Sequence, residues 1–360
     1  MNAAIQADTR HSPKTMPTPA EWRAATAPFR QPDVKASVWQ IVNTTVPYVL
    51  SSVAAYALFP YSFWLSFPFT VLAALLTVRL FILAHDCGHG AFFKSQRAND
   101  IVGFWTGALS YTPYWMWRHM HALHHAHSGD VEHAGIGYFW TMSISEYRNS
   151  PWYVQLGYRA YRHPFTLFVI GGTWLFAVEY RFPIRKADGR MIFQTITTNL
   201  VWAAIFTLVW VTVGPLALLG VALPMAAIAG TLGLWLFYVQ HHYPDSYWGK
   251  GKQWDYTRAA LEGSSFLKLP KWAQFFSGNI GFHHIHHLAP KVPNYKLEAC
   301  NDAVPAFKAV EPLTLSDALK GLSLTLVDDE TMRWVTFADE RRTAPKAETG
   351  APANPGGAAR

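Results

Sequence analysis

The stretch Trp117–His125, W-R-H-M-H-A-L-H-H, places His121, His124 and His125 at i, i+3 and i+4. Residues at those offsets share one face of a helix. The same theme recurs twice. His85 and His89 stand at i, i+4 in H-D-C-G-H, and His283, His286 and His287 stand at i, i+3, i+4 in H-H-I-H-H. Neutral imidazole is the commonest protein metal ligand and suits Fe, Zn, Cu and Ni. Three clusters far apart in sequence therefore predict one metal centre assembled from several helices.

Helical geometry also sorts the neighbours. At about 100° per residue, His124 and His125 flank His121 at roughly 60° and 40°, while His119 and His127 fall about 160° and 120° away. His284 diverges from His283 by about 100°, whereas His286 and His287 lie close to it. His119, His127 and His284 are therefore expected to be surface residues or neighbours of the ligands rather than ligands.

Outward from these clusters the chain is apolar. Of 360 residues, 51% are hydrophobic and 15% charged, with 16 Trp, 16 Tyr and 23 Phe. Four runs, at 38–59, 63–84, 192–213 and 216–239, are long enough at about 1.5 Å per residue to cross a bilayer core of about 30 Å. The second run is interrupted only by Arg79 and delivers His85 and His89 at its end. Segments 101–117 and 165–178 are apolar but broken by Gly103, Gly107, Pro113 and Gly171–Gly172. They read as in-plane or re-entrant helices, because clusters that share a centre must be separated by an even number of crossings. The expected class is an all-α integral membrane protein: four transmembrane helices, in-plane or re-entrant helices, and a cytosolic helical cap carrying the histidines.

The formal charge of +7, set beside these spans, points to an anionic membrane face and not to nucleic acid. Lys and Arg concentrate before the first span, after His89, at 181–190 and after His241, while the turns at 60–62 and 214–215 have none. The positive-inside rule then places both termini and all histidine clusters on the cytosolic side. Cys87 and Cys300 give no disulfide framework and fit a reducing compartment. Cys87 reads as a small packing residue. No apolar core lies in the first 36 residues, so no cleaved signal is expected. The expected division is a flexible arm over 1–36, a membrane domain over 37–310, a cytosolic segment over 311–339 and a disordered tail over 340–360. No internal repeat is visible.

The three boxes, with G-N-I-G-F-H-H-I-H-H-L at 278–288, W-T-M-S-I-S-E-Y at 140–147, F-Y-V-Q-H at 237–241 and P-x-x-P-N-Y at 290–295, resemble membrane fatty acid desaturases. The H-x3-H first box is similar to the acyl-lipid Δ12/ω6 branch and its bacterial members. The resemblance covers residues 40–310. It implies an oxygen-dependent non-haem diiron enzyme that inserts a double bond into an acyl chain of a membrane lipid. The eight box histidines would hold two Fe ions, with O2 as co-substrate, and His133 and His242 would be surface residues or neighbours of the ligands rather than ligands. The fourth span also ends in His241–His242, at the depth expected for His85 and His89. Only one of two adjacent residues can face the centre, and the family position implies His241, leaving His242 interfacial.

Two neighbours are candidates for the surrounding shell: Asp86, to orient an imidazole, and Asn279, either as a contact to a ligand or as a helix N-cap. Trp117 and Arg118 read either as residues that help order the second box or as residues that meet the lipid interface, with interface anchoring preferred for Trp117. Forming one C=C releases two electrons, whereas reducing O2 to two waters takes four. A donor must supply two. The H-P-G-G motif of a fused cytochrome b5-type segment is absent, so a separate ferredoxin or cytochrome b5-like protein is implied. Related hydroxylases and carotenoid ketolases share such boxes. A metal transporter is the rival of a different class, but it would carry its ligands near mid-span.

Overall fold

In the computed structural model, residues 18–130, 132 and 139–343 are described. His133 and most of the proposed tail (344–360) lie outside them, as do residues 1–17 of the arm. The rest of the arm is not loose. Thr18 and Glu21 cap each other at the start of α1 (Pro19–Thr26), and Trp22 stacks on Phe307 with ring centroids 5.1 Å apart. The polar composition that suggested flexibility conceals one buried tryptophan that pins the helix.

Asp33 accepts from the amides of Lys35 and Ala36 and starts α2 (Val34–Leu58). Its buried stripe is Ser37, Gln40, Thr44, Tyr48, Ser51 and Ala55, while Trp39, Leu50 and Val53 point outward. That pattern inverts a soluble helix: lipid solvates the large apolar side chains, and small or polar ones mediate helix contact. α3 (Phe63–Gly88) packs against it, with the Ser66 hydroxyl donating to the Ala55 carbonyl at 2.7 Å. Arg79 is only 4% exposed. Its Nε donates to the Thr44 hydroxyl at 2.9 Å, its guanidinium bonds the Phe275 carbonyl, and it lies over the Phe275 ring. A charge inside a span is thus enclosed by protein, not exposed to lipid.

α4 (Gln96–Leu109) and α5 (Tyr114–His127) are separate helices, broken by the turn before Pro113. A short strand β1 (Met142–Ser143) leads to α6 (Ile144–Asn149) and α7 (Trp152–Arg162). A π-helical turn over Phe165–Ile170 then runs into α8 (Gly171–Ala177). Among the described residues, only four helices are long and apolar enough to cross a membrane: α2, α3, α9 (Gly189–Val213) and α10 (Pro215–His241). Neither intervening pair reaches that length. Gly214, at φ 98°, makes the turn between α9 and α10 in a backbone region that disfavours any residue with a Cβ. The third box follows α11 (Tyr256–Leu261) and α12 (Lys271–Ser277) as the short buried helix α13 (His283–Leu288). α14 (Asn294–Ala303), α15 (Pro305–Lys308) and α16 (Leu315–Gly321) complete the cap. β2 (Leu324–Val327) then pairs parallel with β1 and antiparallel with β3 (Trp334–Thr336), before α17 (Phe337–Thr343). This three-stranded sheet was not anticipated in an all-α reading, but it is a minor cover on a helical protein.

α8 and α10 touch through glycine. A Cβ added to Gly172 would lie 2.6 Å from the Gly230 carbonyl group, far inside van der Waals contact. Gly172→Val is therefore expected to force the helices apart and lower the melting temperature in detergent. An unchanged melting temperature would show that α8 moves freely against α10.

Candidate metal centre

Nine imidazoles converge where α3, α5, α10 and α13 meet. They form two groups: His85, His89, His121, His125 and His286; and His124, His241, His283 and His287. Within each group the ligand-capable nitrogens all lie within 4.8 Å of one another. α5 serves both, sending His121 and His125 to the first group and His124 to the second. α13 does the same, sending His286 to the first and His283 and His287 to the second. Every histidine that the sequence singled out is present, and among the described residues the neighbours His119, His127, His242 and His284 are not. His119 is exposed on the far side of α5. His284 is buried between Phe266 and Phe307.

The nitrogen spacing bears on whether a metal fits. The pairs His85–His286, His121–His125, His124–His241, His241–His283 and His125–His286 approach through Nε2 at 2.9–3.1 Å. Ligands about 2.1 Å from an ion and at right angles would be about 3.0 Å apart. The buried Nε2 atoms of His89 and His287 have no hydrogen-bond partner among the described residues. Burial pushes His89, His121, His124, His125, His283, His286 and His287 well below the usual imidazole range, and neighbouring imidazoles push the same way. The rings are therefore neutral, with lone pairs available. Two all-imidazole pockets of this kind fit two transition-metal ions.

Outer contacts aim the rings. His241 Nδ1 faces the Gly263 carbonyl at 3.0 Å, which directs its Nε2 inward. His85 Nδ1 faces Asp86 Oδ1 at 3.2 Å. The other oxygen of Asp86 accepts from the Asn294 backbone N–H at 2.7 Å and from its side-chain amide at 2.8 Å. Asn294 in turn exchanges hydrogen bonds with Gln40 of α2. Sequence reasoning missed Asn294 and Gln40, although Asn294 lies in the P-x-x-P-N-Y stretch.

Three expectations need correction. Asn279 neither caps α13, whose cap residue is Phe282, nor bonds an imidazole among the described residues. It occupies a left-handed turn at φ 56° and donates to the Asn294 carbonyl at 3.1 Å, one step further out. Trp117 is not an interface anchor: it is buried and stacks on His121, with centroids 4.5 Å apart. His242 is not interfacial but 1% exposed. It stacks on Tyr238 at 4.1 Å and meets Trp334 of β3 at 4.4 Å. The cause is the small sheet, which covers the end of α10.

A cavity of about 560 Å³ runs from His85, His121, His124 and His283 into the membrane region, ending near Thr77, Tyr111 and Ala226. Between Ala226 and Gln240, both of which line it, α10 rises about 21 Å at 1.5 Å per residue. Its walls are largely aliphatic and aromatic, which suits a long hydrocarbon chain.

Comparison with known proteins agrees with this geometry. The sequence profile described as fatty acid desaturase matches residues 62–312. A Bacillus subtilis (strain 168) protein described as a fatty acid desaturase is 41% identical over 311 residues, 86% of this chain and 88% of that protein. The chain belongs to the fatty acid desaturase family. The desaturase is also 27% identical over 226 residues to the sn-1 oleoyl-lipid 12-desaturase of Synechocystis, covering 62% of this chain and 64% of the relative. It is 26% identical over 333 residues to the temperature-sensitive sn-2 acyl-lipid omega-3 desaturase (ferredoxin), chloroplastic, of Arabidopsis thaliana, covering 84% and 73%. The desaturase is thus an oxygen-dependent oxidoreductase, and the transporter reading falls away. His85 and His241 sit at the ends of their spans, where a cap-side active site needs them.

Proposed function

We propose that this desaturase inserts a C=C bond into an acyl chain carried by a membrane lipid, using O2 and two electrons from a separate protein donor. The observation that carries the reading is the junction of two imidazole groups with one end of a long apolar cavity. Each pocket would hold one iron. Bound iron would supply the redox chemistry that uses dioxygen to take hydrogen from an unactivated methylene. The rest of the work belongs to the chain. The cavity walls hold the hydrocarbon in register, so that one pair of carbons lies beside His121 and His124. The same walls exclude water from the reacting carbons. Asp86 and the Gly263 carbonyl hold the His85 and His241 rings in orientation, and Trp117 braces His121 from behind.

The finer reading is conversion of monounsaturated to diunsaturated chains at the Δ12/ω6 position. Support comes from the H-x3-H spacing and from the Synechocystis relative, which is named as acting on oleoyl lipid. A ferredoxin-type donor fits, since the Arabidopsis relative's name carries ferredoxin. The basic segments flanking the histidine side favour a cytosolic active site in a bacterial inner membrane.

Freshly purified protein is expected to hold two irons per chain, and a host supplied with a compatible ferredoxin is expected to accumulate diunsaturated lipids. Elemental analysis and lipid mass spectrometry read the two results. One zinc and no iron in active protein would remove the diiron assignment. Hydroxylated or keto lipids as the only products would remove the desaturation outcome.

A further inference from the structure

A second hollow of about 470 Å³ adjoins the acyl cavity, lined by residues that include Met116, Phe182 and Ile184. Met120, Trp174, Glu179 and Tyr180 line both spaces, so the two adjoin at this quartet. The hollow lies between α5, the end of α8 and the segment that enters α9, at the same ends of the spans as the histidines. Trp174 and Phe182 are 58% and 66% exposed. Large aromatic side chains left this open belong at a membrane–water interface and not in bulk water. The histidine end of the cavity therefore opens sideways, at headgroup depth.

The charges around this opening are arranged unevenly. Just beyond it Arg185 and Lys186 are exposed, and cations at that depth attract lipid phosphate. Glu179 is the one carboxylate lining either space among the described residues. Burial pushes the Tyr161 and Tyr180 hydroxyls beside it above the usual phenol range; Glu179 adds to this at both, against Arg162 at Tyr161. Glu179 is itself exposed at this mouth, and a second carboxylate brought beside it would be repelled. An ester carries no charge there and meets no such barrier.

We propose that the acyl chain enters sideways from the bilayer, between Met120 and Trp174, as an ester of a phospholipid. Its phosphate lies by Arg185 and Lys186, and Glu179 turns away ionised fatty acids. The inference rests on the reading that the substrate chain belongs to a membrane lipid, and adds the route and the discriminating residue.

Photocrosslinking of the full-length protein tests it without relying on turnover. Phosphatidylethanolamine and a free fatty acid, each with a diazirine at the same chain carbon near the carboxyl end, are added at alkaline pH, and labelled peptides are mapped by mass spectrometry. The phospholipid is expected to label 116–120 and 174–180, and the free acid about tenfold less. Glu179→Gln is expected to bring the free acid close to the phospholipid, and Met120→Trp to suppress phospholipid labelling of both segments. Equal labelling of the wild type by both probes overturns the role of Glu179. Phospholipid labels confined to other surfaces overturn the sideways entrance. Lipid mass spectrometry on the expressing host separates these failures from failure of the desaturase reading, because desaturated lipids would persist if only the route is wrong.

Discussion

His241→Ala is expected to lower bound iron from two ions to one per chain and to abolish desaturation. The second pocket has four imidazoles, His124, His241, His283 and His287, and His241 Nε2 lies 3.1 Å from the Nε2 atoms of both His124 and His283. Removing it takes away the donor between two others and leaves three. The first pocket, with five imidazoles of its own, keeps its ion. The adjacent residue provides the control. His242 is equally buried, but it lies against Tyr238, Phe139 and Trp334, with Nδ1 turned to the Tyr238 carbonyl at 3.2 Å. His242→Phe preserves that ring packing and should retain both irons and most activity, at some cost in stability. Alanine at 242 would instead leave a cavity and confuse folding with ligation. Iron per chain and product per iron, measured on protein of equal monodispersity, separate the cases. Full iron content in His241→Ala together with iron loss in His242→Phe would reverse the assignment.

Asp86→Ala should weaken iron binding by about 10–100-fold, the usual cost of losing an orienting partner behind a ligand. The reason is the position of the carboxylate between α3 and α14. One oxygen faces His85 Nδ1, and the other takes two hydrogen bonds from Asn294. Alanine frees the His85 ring to rotate and leaves two buried amide donors of Asn294 short of their acceptor, which costs stability as well. Asn294→Ala should be milder, because the backbone N–H of residue 294 still reaches Asp86. Competition against a chelator gives the affinities. Equal affinity in Asp86→Ala and wild type would mean that packing alone fixes the His85 ring.

What was legible in the sequence follows from which constraints act locally. A bilayer of fixed thickness demands a minimum length of apolar helix, so α2, α3, α9 and α10 could be read to within a few residues. Ligand faces follow helical periodicity, so the box histidines separated cleanly from His119. The division into groups of five and four was not legible, because it depends on how α5 and α13 approach each other across some 160 residues of chain. Nor was the burial of His242, which is imposed by strands near residues 324–336. Asp86 was readable because it neighbours a ligand, whereas Gln40 lies on the first span and meets the site only through Asn294. Trp117 allows two readings from sequence, a support of the second box or an interface anchor; tryptophan is common at membrane interfaces, which favours the second, and the fold shows the ring against His121. The docking of α1 was obscured in a similar way, by a polar stretch whose single large apolar residue decides its place.

The interleaving of the two pockets has a consequence for biogenesis. His85 and His286, neighbours through Nε2, are 201 residues apart in the chain, and His125 and His286 are 161 apart. At about 5–20 residues per second, a ribosome that has made the first two boxes needs roughly ten seconds or more to reach the third. During that interval His85, His89, His121, His124 and His125 exist without their partners, and neither pocket can close. Neither group is complete until His286 and His287 have been made, and a product truncated before residue 283 leaves the ribosome with no complete site.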